Sequence, residues 1–278
     1  MTKDASFVIN RYPASRGLWW WIISFIEIMK QPFHWFSVGV AITFILIVAG
    51  IIVGLINSMI FPFVPVLVYF IEAKSLIQFF DNDFYFAFQA LLPNIIAGIS
   101  VARKAQEKNV ITHITRFFEG FGCRFFTLLS IGVLSIVLPS LINFDTIEFS
   151  NSKDGMYAIY NFIAPLCLGL CKAILIFLII FLPSMVVVFQ RVGFLRAIAR
   201  GLRGSFMNFG SILVLILILA FIFICFLVLG SIIPEKNSAL LYILNLFALF
   251  LLCCGGVSAF NAYHDIFQER SMSFIAWR

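Results

Sequence analysis

Long apolar runs alternate with short polar segments along the chain, and six of the runs are long enough to cross a bilayer. A helix that rises about 1.5 Å per residue needs about twenty apolar residues to span the hydrocarbon core. We expect helices rather than strands, because an open strand would leave its backbone groups unpaired in lipid. The predicted spans are Phe36–Ile56, Phe84–Ala102, Phe125–Ile142, a fourth that begins between Ile163 and Lys172 and ends near Phe189, Phe209–Ile233 and Ala239–Phe260.

A shorter amphipathic segment precedes the first, third and fifth spans, at residues 16–36, 111–126 and 191–206. In the first of these segments the polar residues Ser24, Glu27 and Lys30 recur every three positions among Trp, Ile and Phe. Such a pattern predicts a helix that lies in the membrane interface, with apolar side chains toward the acyl chains and polar side chains toward headgroups and water. We call the three predicted helices the elbow helices.

The chain thus reads as three copies of one unit, which consists of an elbow helix, an outward span, an outer loop and a returning span. The copies cover residues 14–105, 108–190 and 191–267 of a single integral-membrane domain, 1–278. Two returning spans share a Leu-Pro pair, which ends at Pro93 and Pro183. The predicted fold class is all-α: a polytopic membrane protein with six transmembrane helices in three hairpins, each preceded by a cytoplasmic elbow helix.

Composition excludes an ordinary soluble protein, and the distribution of charge predicts the orientation. The chain is 62% hydrophobic and 12% charged, whereas globular chains are about half apolar and about a quarter charged. Fifteen of the 19 basic residues fall in the segments 1–35, 103–124, 190–208 and 261–278. By the positive-inside rule these segments are cytoplasmic, so both termini are predicted to lie inside.

Two connections on the predicted outer side, 57–83 and 156–172, are too apolar for free loops. We predict that they are re-entrant or lie in the outer interface. Making the first of them a full span would break the sidedness of the charges.

The elbow helices are the predicted contact with lipid headgroups. Arginine pairs with phosphate, and Trp prefers the headgroup level of a bilayer. The predicted lipid-interface residues are Arg16, Trp19, Trp20, Arg116, Arg196, Arg200 and Arg203. The alternative for the arginine-rich segment is a docking surface for a cytoplasmic partner. Nucleic acid is disfavoured as a partner, because no aromatic residues are interleaved for stacking and the apolar face needs burial.

A few polar residues fall within or beside the spans, and these are the candidates for an intramembrane pathway: Lys172, Asn94, Asn161 and Asn245. An ionisable residue at membrane depth is a functional candidate. The alternative is that Lys172 begins the fourth span and extends its ammonium group outward. For Asn94, hydrogen bonding between helices is the alternative to lining a cavity.

The sequence shows no arrangement of residues typical of a catalytic or metal-binding site. His34, His113 and His264 are scattered, and the six cysteines lie in or beside apolar runs, where free cysteine acts as a small hydrophobe. The sequence contains no phosphate-binding loop, dinucleotide fingerprint or hydrolase elbow. We therefore expect no catalytic residue, no metal site and no cofactor.

Short aromatic motifs at both ends resemble an uncharacterised family of proteobacterial inner-membrane proteins. Gly17 with Trp20 and Pro32 with Trp35 match the Gly-x-x-Trp and Pro-x-x-Trp elbow of that family, and Tyr263–Phe267 matches its Tyr-x-Asp-Ile-Phe tail. Phe260 departs from the family, which has a tyrosine there. The layout is more distantly similar to the membrane domain attached to some glycerophosphodiester phosphodiesterases. The resemblance implies the bacterial inner membrane as the location and supplies no activity.

Three functions are compatible with these features. The first is a non-enzymatic accessory, assembly or lipid-organising protein, with anionic lipids as partners and a membrane-protein partner or a second copy of the chain as a further one. The second is a small permease or channel with a path between the hairpins. The third, which we disfavour, is a lipid-modifying enzyme that uses Glu72, Asp81 or Asp83 at the outer face.

Overall fold

A computed structural model describes residues 9–60, 83–105, 110–141, 155–232 and 238–267. Within these ranges all regular secondary structure is helical, as the sequence predicts. The nine helices are α1 (Ser15–Lys30), α2 (Pro32–Ile60), α3 (Asp83–Ala105), α4 (Val110–Gly122), α5 (Phe125–Leu141), α6 (Gly155–Gln190), α7 (Phe194–Met207), α8 (Phe209–Ile232) and α9 (Ser238–Phe267). Nearly all of the predicted outer segment 57–83 lies outside the described residues.

By length and composition, two stretches of the described helices are able to cross a membrane, namely Pro32–Leu55 in α2 and Leu246–Phe267 in α9. The count rises to four if two bent pairs, α4 with α5 and α7 with α8, are each taken as one span. A shorter apolar stretch, Ile174–Gln190, forms the second half of α6. The structure therefore has two to four candidate spans, and the prediction of six spans in three hairpins is not confirmed.

Helices α1, α4 and α7 occupy the segments predicted as elbow helices, and each stops just before an apolar helix begins. The chain bends by 68° between α4 and α5 and by 91° between α7 and α8. Pro32 starts α2, because proline has no N–H to continue the hydrogen-bond ladder of α1. At the second break Arg124 has a φ of 52°, a left-handed conformation that cannot continue an α-helix.

Each elbow helix packs against the returning helix of the unit before it. Helix α4 contacts α3, α7 contacts α6, and α1 closes the ring by packing on α9 at the other end of the chain. The returning helices α3, α6 and α9 also contact one another, so they form the centre of the bundle. Among the described side chains, exposed large apolar residues are most numerous on α2, an outgoing helix, and α1 and α8 follow with equal numbers.

Small residues allow these helices to approach closely. A Cβ atom added to Gly98 of α3 would lie 2.7 Å from the Phe117 ring of α4. At Gly256 of α9 the added atom would lie 2.6 Å from Ile99 of α3, and at Gly132 of α5 it would overlap the carbonyl of Ala90 in α3. At these three glycines the helices therefore approach so closely that there is little room for an added atom.

Helix α6 differs from its prediction. It is a continuous helix of 36 residues that begins at Gly155, so the segment 156–172 is its first half and not a re-entrant or interfacial connection. A helix of this length extends for about 54 Å, well beyond the hydrocarbon thickness. Lys172 consequently lies in the middle of α6, just before the apolar stretch Ile174–Gln190.

Replacing Gly132 by alanine tests the close approach of α5 to α3. We expect Gly132→Ala to lower stability by about 1–3 kcal/mol, because the new methyl group must displace the backbone of α3. Gly169→Ala is the matched control, since an added Cβ there meets nothing within 4 Å and alanine favours a helix by about 1 kcal/mol. Thermal unfolding in detergent measures both, and equal melting temperatures for the two variants would contradict the packing.

Candidate functional site

The N-terminus of α1 and the C-terminus of α9 meet at a carboxylate. Asp265 Oδ2 accepts a hydrogen bond from Arg16 Nε at 2.7 Å and another from Trp20 Nε1 at 2.8 Å. The hydrogen bond that Arg16 donates to Asp265 raises the pKa of Arg16 above its usual value, although burial acts in the opposite direction. Trp20 is 1% exposed. Its prediction as a lipid-interface residue is therefore wrong, because its N–H binds a carboxylate inside the protein.

Helix α1 buries a narrow face and turns several large apolar residues outward. Its buried residues are Gly17, Trp20, Ser24 and Ile28. Its exposed large apolar residues are Leu18, Trp19, Phe25, Ile26 and Met29. Ser24 Oγ accepts a hydrogen bond from Asn261 Nδ2 at 3.0 Å and lies 3.0 Å from Ser258 Oγ, both in α9. The predicted orientation of Ser24 toward water is wrong, because its hydroxyl joins two helices.

Glu27, on the same helix, is also drawn into the bundle. Its carboxylate forms an ion pair with Arg103 at the end of α3, with both side chains less than one-fifth exposed. One of the hydrogen bonds joins Arg103 Nε to Glu27 Oε2 at 2.6 Å. Of the three polar positions that define the predicted water-facing stripe, Lys30 alone is exposed.

Helix α4 presents a similar division of its faces. His113, Phe117 and Gly120 are buried, whereas Ile111 and Phe118 are exposed. Arg116, a predicted lipid-interface residue, forms an exposed ion pair with Glu119 one turn away, with Nη1 to Oε2 at 2.7 Å. The arginine head therefore lies at the surface, close to outward-facing apolar side chains.

Helix α7 carries the largest share of the predicted interface arginines. Its buried face is made of Ala197, Gly201, Gly204 and Ser205. Arg196 and Arg203 are exposed, and so are the apolar residues Leu195 and Phe206. Arg200 is half-buried and donates from Nη1 to Gln190 Oε1 at 3.0 Å, at the end of α6. The outward face of α7 thus combines arginine heads with apolar side chains.

The predicted pathway residues do not converge on a polar cavity among the described residues. Asn94 is fully buried and donates from Nδ2 to the carbonyls of Phe121 and Phe125, at 3.1 and 3.4 Å. Lys172 is half-buried in α6, about 27 Å along the helix from Gln190. The side chains of Asn161 and Asn245 lie outside the described part of the chain. Asn94 therefore follows the alternative of hydrogen bonding between helices.

Two of the scattered histidines meet. The rings of His34 and His113 are 5.5 Å apart between centroids, and the Trp35 ring lies 5.0 Å from His113. His113 is 3% exposed, and neither of its ring nitrogens has a hydrogen-bond partner in the described residues. Those residues contain no group of three or more His, Cys, Asp or Glu side chains that could hold a metal ion.

Two apolar crevices open between helices. One, of about 550 Å³, is a surface groove between the start of α2 and the middle of α9. The other, of about 330 Å³, lies between α3, α6, α8 and α9, and we call it the central crevice. Its lining residues are Leu92, Ile96, Ile176, Phe177, Ile180, Phe181, Leu219, Leu251, Leu252, Gly255 and Gly256. Neither crevice is lined by Lys172 or Asn94.

Sequence reasoning missed the polar residues that join the elbow helices to the bundle. Asp265 is the partner of Arg16, and Gln190 is the partner of Arg200. Asn208 donates from Nδ2 to the Asn10 carbonyl at 2.9 Å and accepts from the Tyr12 N–H at 2.8 Å. Each of the three lies at the boundary between an apolar helix and a basic segment. A polar residue at such a boundary is the feature of the sequence that could have identified these partners.

Comparisons with protein-family models, with curated proteins and with solved structures give no match for this chain.

The Glu27–Arg103 pair can be tested against the exposed Arg116–Glu119 pair. We expect Glu27→Gln to lower stability by about 1–3 kcal/mol, because it leaves a guanidinium partly buried without its carboxylate. Glu119→Gln should change stability by less than about 0.5 kcal/mol, since exposed pairs contribute little. Chemical denaturation in detergent measures both variants. A Glu27→Gln variant as stable as Glu119→Gln would remove the structural role of this pair.

Proposed function

We propose that this chain is a non-enzymatic, six-span protein of the bacterial inner membrane that organises anionic lipids at its cytoplasmic face. The single observation that carries the proposal is the outward face of α7, where Arg196 and Arg203 are exposed beside Leu195 and Phe206. A helix that offers both arginine and apolar side chains on its exposed side fits the boundary between headgroups and acyl chains.

The other elbow helices support the same assignment. On α1 the exposed residues include Trp19 and Lys30, next to several aliphatic side chains. On α4 Ile111 and Phe118 are exposed close to Arg116. Each basic residue near an anionic leaflet contributes about 1 kcal/mol to binding. Three elbow helices on one side of the membrane would together favour anionic lipids around the protein.

The bends between helices support the predicted membrane arrangement. An elbow helix in the interface and a span along the membrane normal must meet at a large angle, and the breaks of 68° and 91° satisfy that requirement. The first outgoing helix, α2, contains a candidate span of 24 residues directly after its break. In this arrangement the basic ends of α3, α6 and α9 lie with the elbow helices in the cytoplasm, together with both termini.

The small-permease alternative has less support. A path for a polar solute needs polar groups along it, and the central crevice is lined by aliphatic and aromatic residues and two glycines. Asn94, the best-placed candidate, gives its amide hydrogens to backbone carbonyls at a helix break. These residues therefore favour a structural use of the buried amides over transport.

Lipid selectivity tests the proposal directly. We expect the protein in nanodiscs of mixed phosphatidylcholine and phosphatidylglycerol to retain more phosphatidylglycerol than phosphatidylcholine. Native mass spectrometry of the released protein–lipid complexes measures the ratio. The double variant Arg196→Gln with Arg203→Gln should lose about tenfold or more of that preference, since two contributions of about 1 kcal/mol are removed. Lys172→Gln is the control, because it removes a cation from the far part of α6.

A loss of preference in Lys172→Gln that is half as large in free energy as the loss in the double variant would contradict the role of α7, since the effect would then follow net charge alone. A wild-type protein without preference for phosphatidylglycerol would overturn the lipid-organising proposal. In that case, a protein that co-purifies in a fixed ratio would favour the alternative use of the arginine-rich segment as a docking surface.

Reporter fusions test the span count and the sidedness. We expect a fluorescent reporter that matures only in the cytoplasm to be active when fused at either terminus, and a periplasmic phosphatase to be inactive there. The expectation follows from an even number of crossings with the basic segments inside. Opposite results at the two ends would require an odd number of spans and would exclude the three-hairpin arrangement.

A further inference from the structure

We infer that the central crevice is a binding site for one hydrocarbon chain of a bilayer lipid. The inference rests on the proposed membrane setting and adds a defined intramolecular site to the lipid contacts of the elbow helices. Three features carry it: the chemistry of the lining, the position of Gly255, and the size of the space.

The lining has almost no groups that could hold water. Helices α3, α6, α8 and α9 contribute leucine, isoleucine and phenylalanine side chains together with two glycines. Phe177 and Phe181 stack at 4.1 Å between ring centroids and form one wall. A buried water needs two to four polar partners, so the occupant of this space is apolar. An unfilled apolar void would instead leave the lining atoms without contacts on one side.

The two adjacent glycines of α9 have different surroundings. A Cβ on Gly256 would lie 2.6 Å from Ile99, so Gly256 is required for packing against α3. A Cβ on Gly255 would meet nothing within 4 Å, although this residue also lines the crevice. Gly255 therefore leaves space that no neighbouring side chain fills. Any larger residue at this position would project into the crevice.

The size of the crevice selects a single chain. The crevice has a volume of about 330 Å³ and lies between four packed helices. A flexible chain one carbon wide fits such a space, whereas an α-helix with its side chains is about 10 Å across. The crevice also opens to the surface of the protein, because several of its lining residues, including Phe177, Leu219 and Leu252, are partly exposed.

The test uses a phosphatidylcholine that carries a diazirine in one acyl chain, incorporated into nanodiscs with the full-length protein. After irradiation, we expect crosslinked peptides to map to the crevice, in particular to the stretches around Phe177 and Leu252. Gly255→Leu should reduce this labelling at least fivefold, because its side chain occupies the space. Gly169→Leu is the matched control and should leave the labelling unchanged, since Gly169 does not line the crevice.

A thermal melt of each variant separates occlusion from misfolding. Gly255→Leu should melt at or above the wild-type temperature, because it enters open space. Wild-type labelling at Phe177 no stronger than at exposed Phe221 would overturn the site, and so would undiminished labelling in a folded Gly255→Leu variant. The Arg196→Gln, Arg203→Gln variant should keep wild-type labelling in the crevice, so failure of headgroup selectivity and failure of this site give different results.

Discussion

Each break between an elbow helix and the helix that follows it leaves backbone carbonyls without a partner in the helix, and the satisfaction of these groups is the constraint on which the rest of the structure depends. At the break between α4 and α5, Asn94 of α3 donates to the carbonyls of Phe121 and Phe125. At the break between α7 and α8, Asn208 donates to the carbonyls of Gly204 and Asn10. The hydrogen bonds from Asn94 and Asn208 thus offset the free-energy cost of the unpaired carbonyls at the bends. The bends in turn set the positions of the elbow helices.

With the carbonyls at the breaks hydrogen-bonded, close packing holds the elbow helices in a ring around the returning helices. Each elbow helix lies against a returning helix, and this contact requires small residues at several positions. On α7 the contact is Gly201 against Pro183 of α6, where a Cβ would lie 2.5 Å from the proline ring. On α1 the same task falls to Ser24, whose hydroxyl joins Ser258 and Asn261. The exposed face is then left to apolar residues, the reverse of a helix on a soluble protein.

The sequence predicts the helices well and their orientation poorly, for a physical reason. Apolar runs and a proline locate α2 and its start at Pro32 because these depend on local properties of the chain. Periodicity also finds the elbow helices, but it cannot distinguish a polar stripe that faces water from one that faces a second helix. Ser24 and Glu27 were assigned to water for this reason. Trp20 was misplaced similarly, since its partner Asp265 is far away in the sequence.

Helix α6 illustrates a second limit of sequence reasoning. The expected length of a span predicts a helix that begins between Ile163 and Lys172, whereas the helix begins at Gly155. Bilayer thickness sets a minimum length for a spanning helix and no maximum, because a helix can tilt or extend beyond the hydrocarbon core. The apolar segment 156–172 therefore had two physically acceptable structures, and hydropathy alone could not choose between them.

The use of the buried polar groups also bears on function. Asn94, Gln89 and Ser100 are buried in α3, and each donates to a backbone carbonyl. The two crevices described between the helices are apolar, and cations such as Arg196 and Arg203 are exposed on an elbow helix. A transporter of polar solutes would need the opposite distribution, with polar groups facing an interior space. This separation of polar groups from open space is the basis of the proposed lipid contacts, with headgroups at the elbow helices and hydrocarbon between the returning helices.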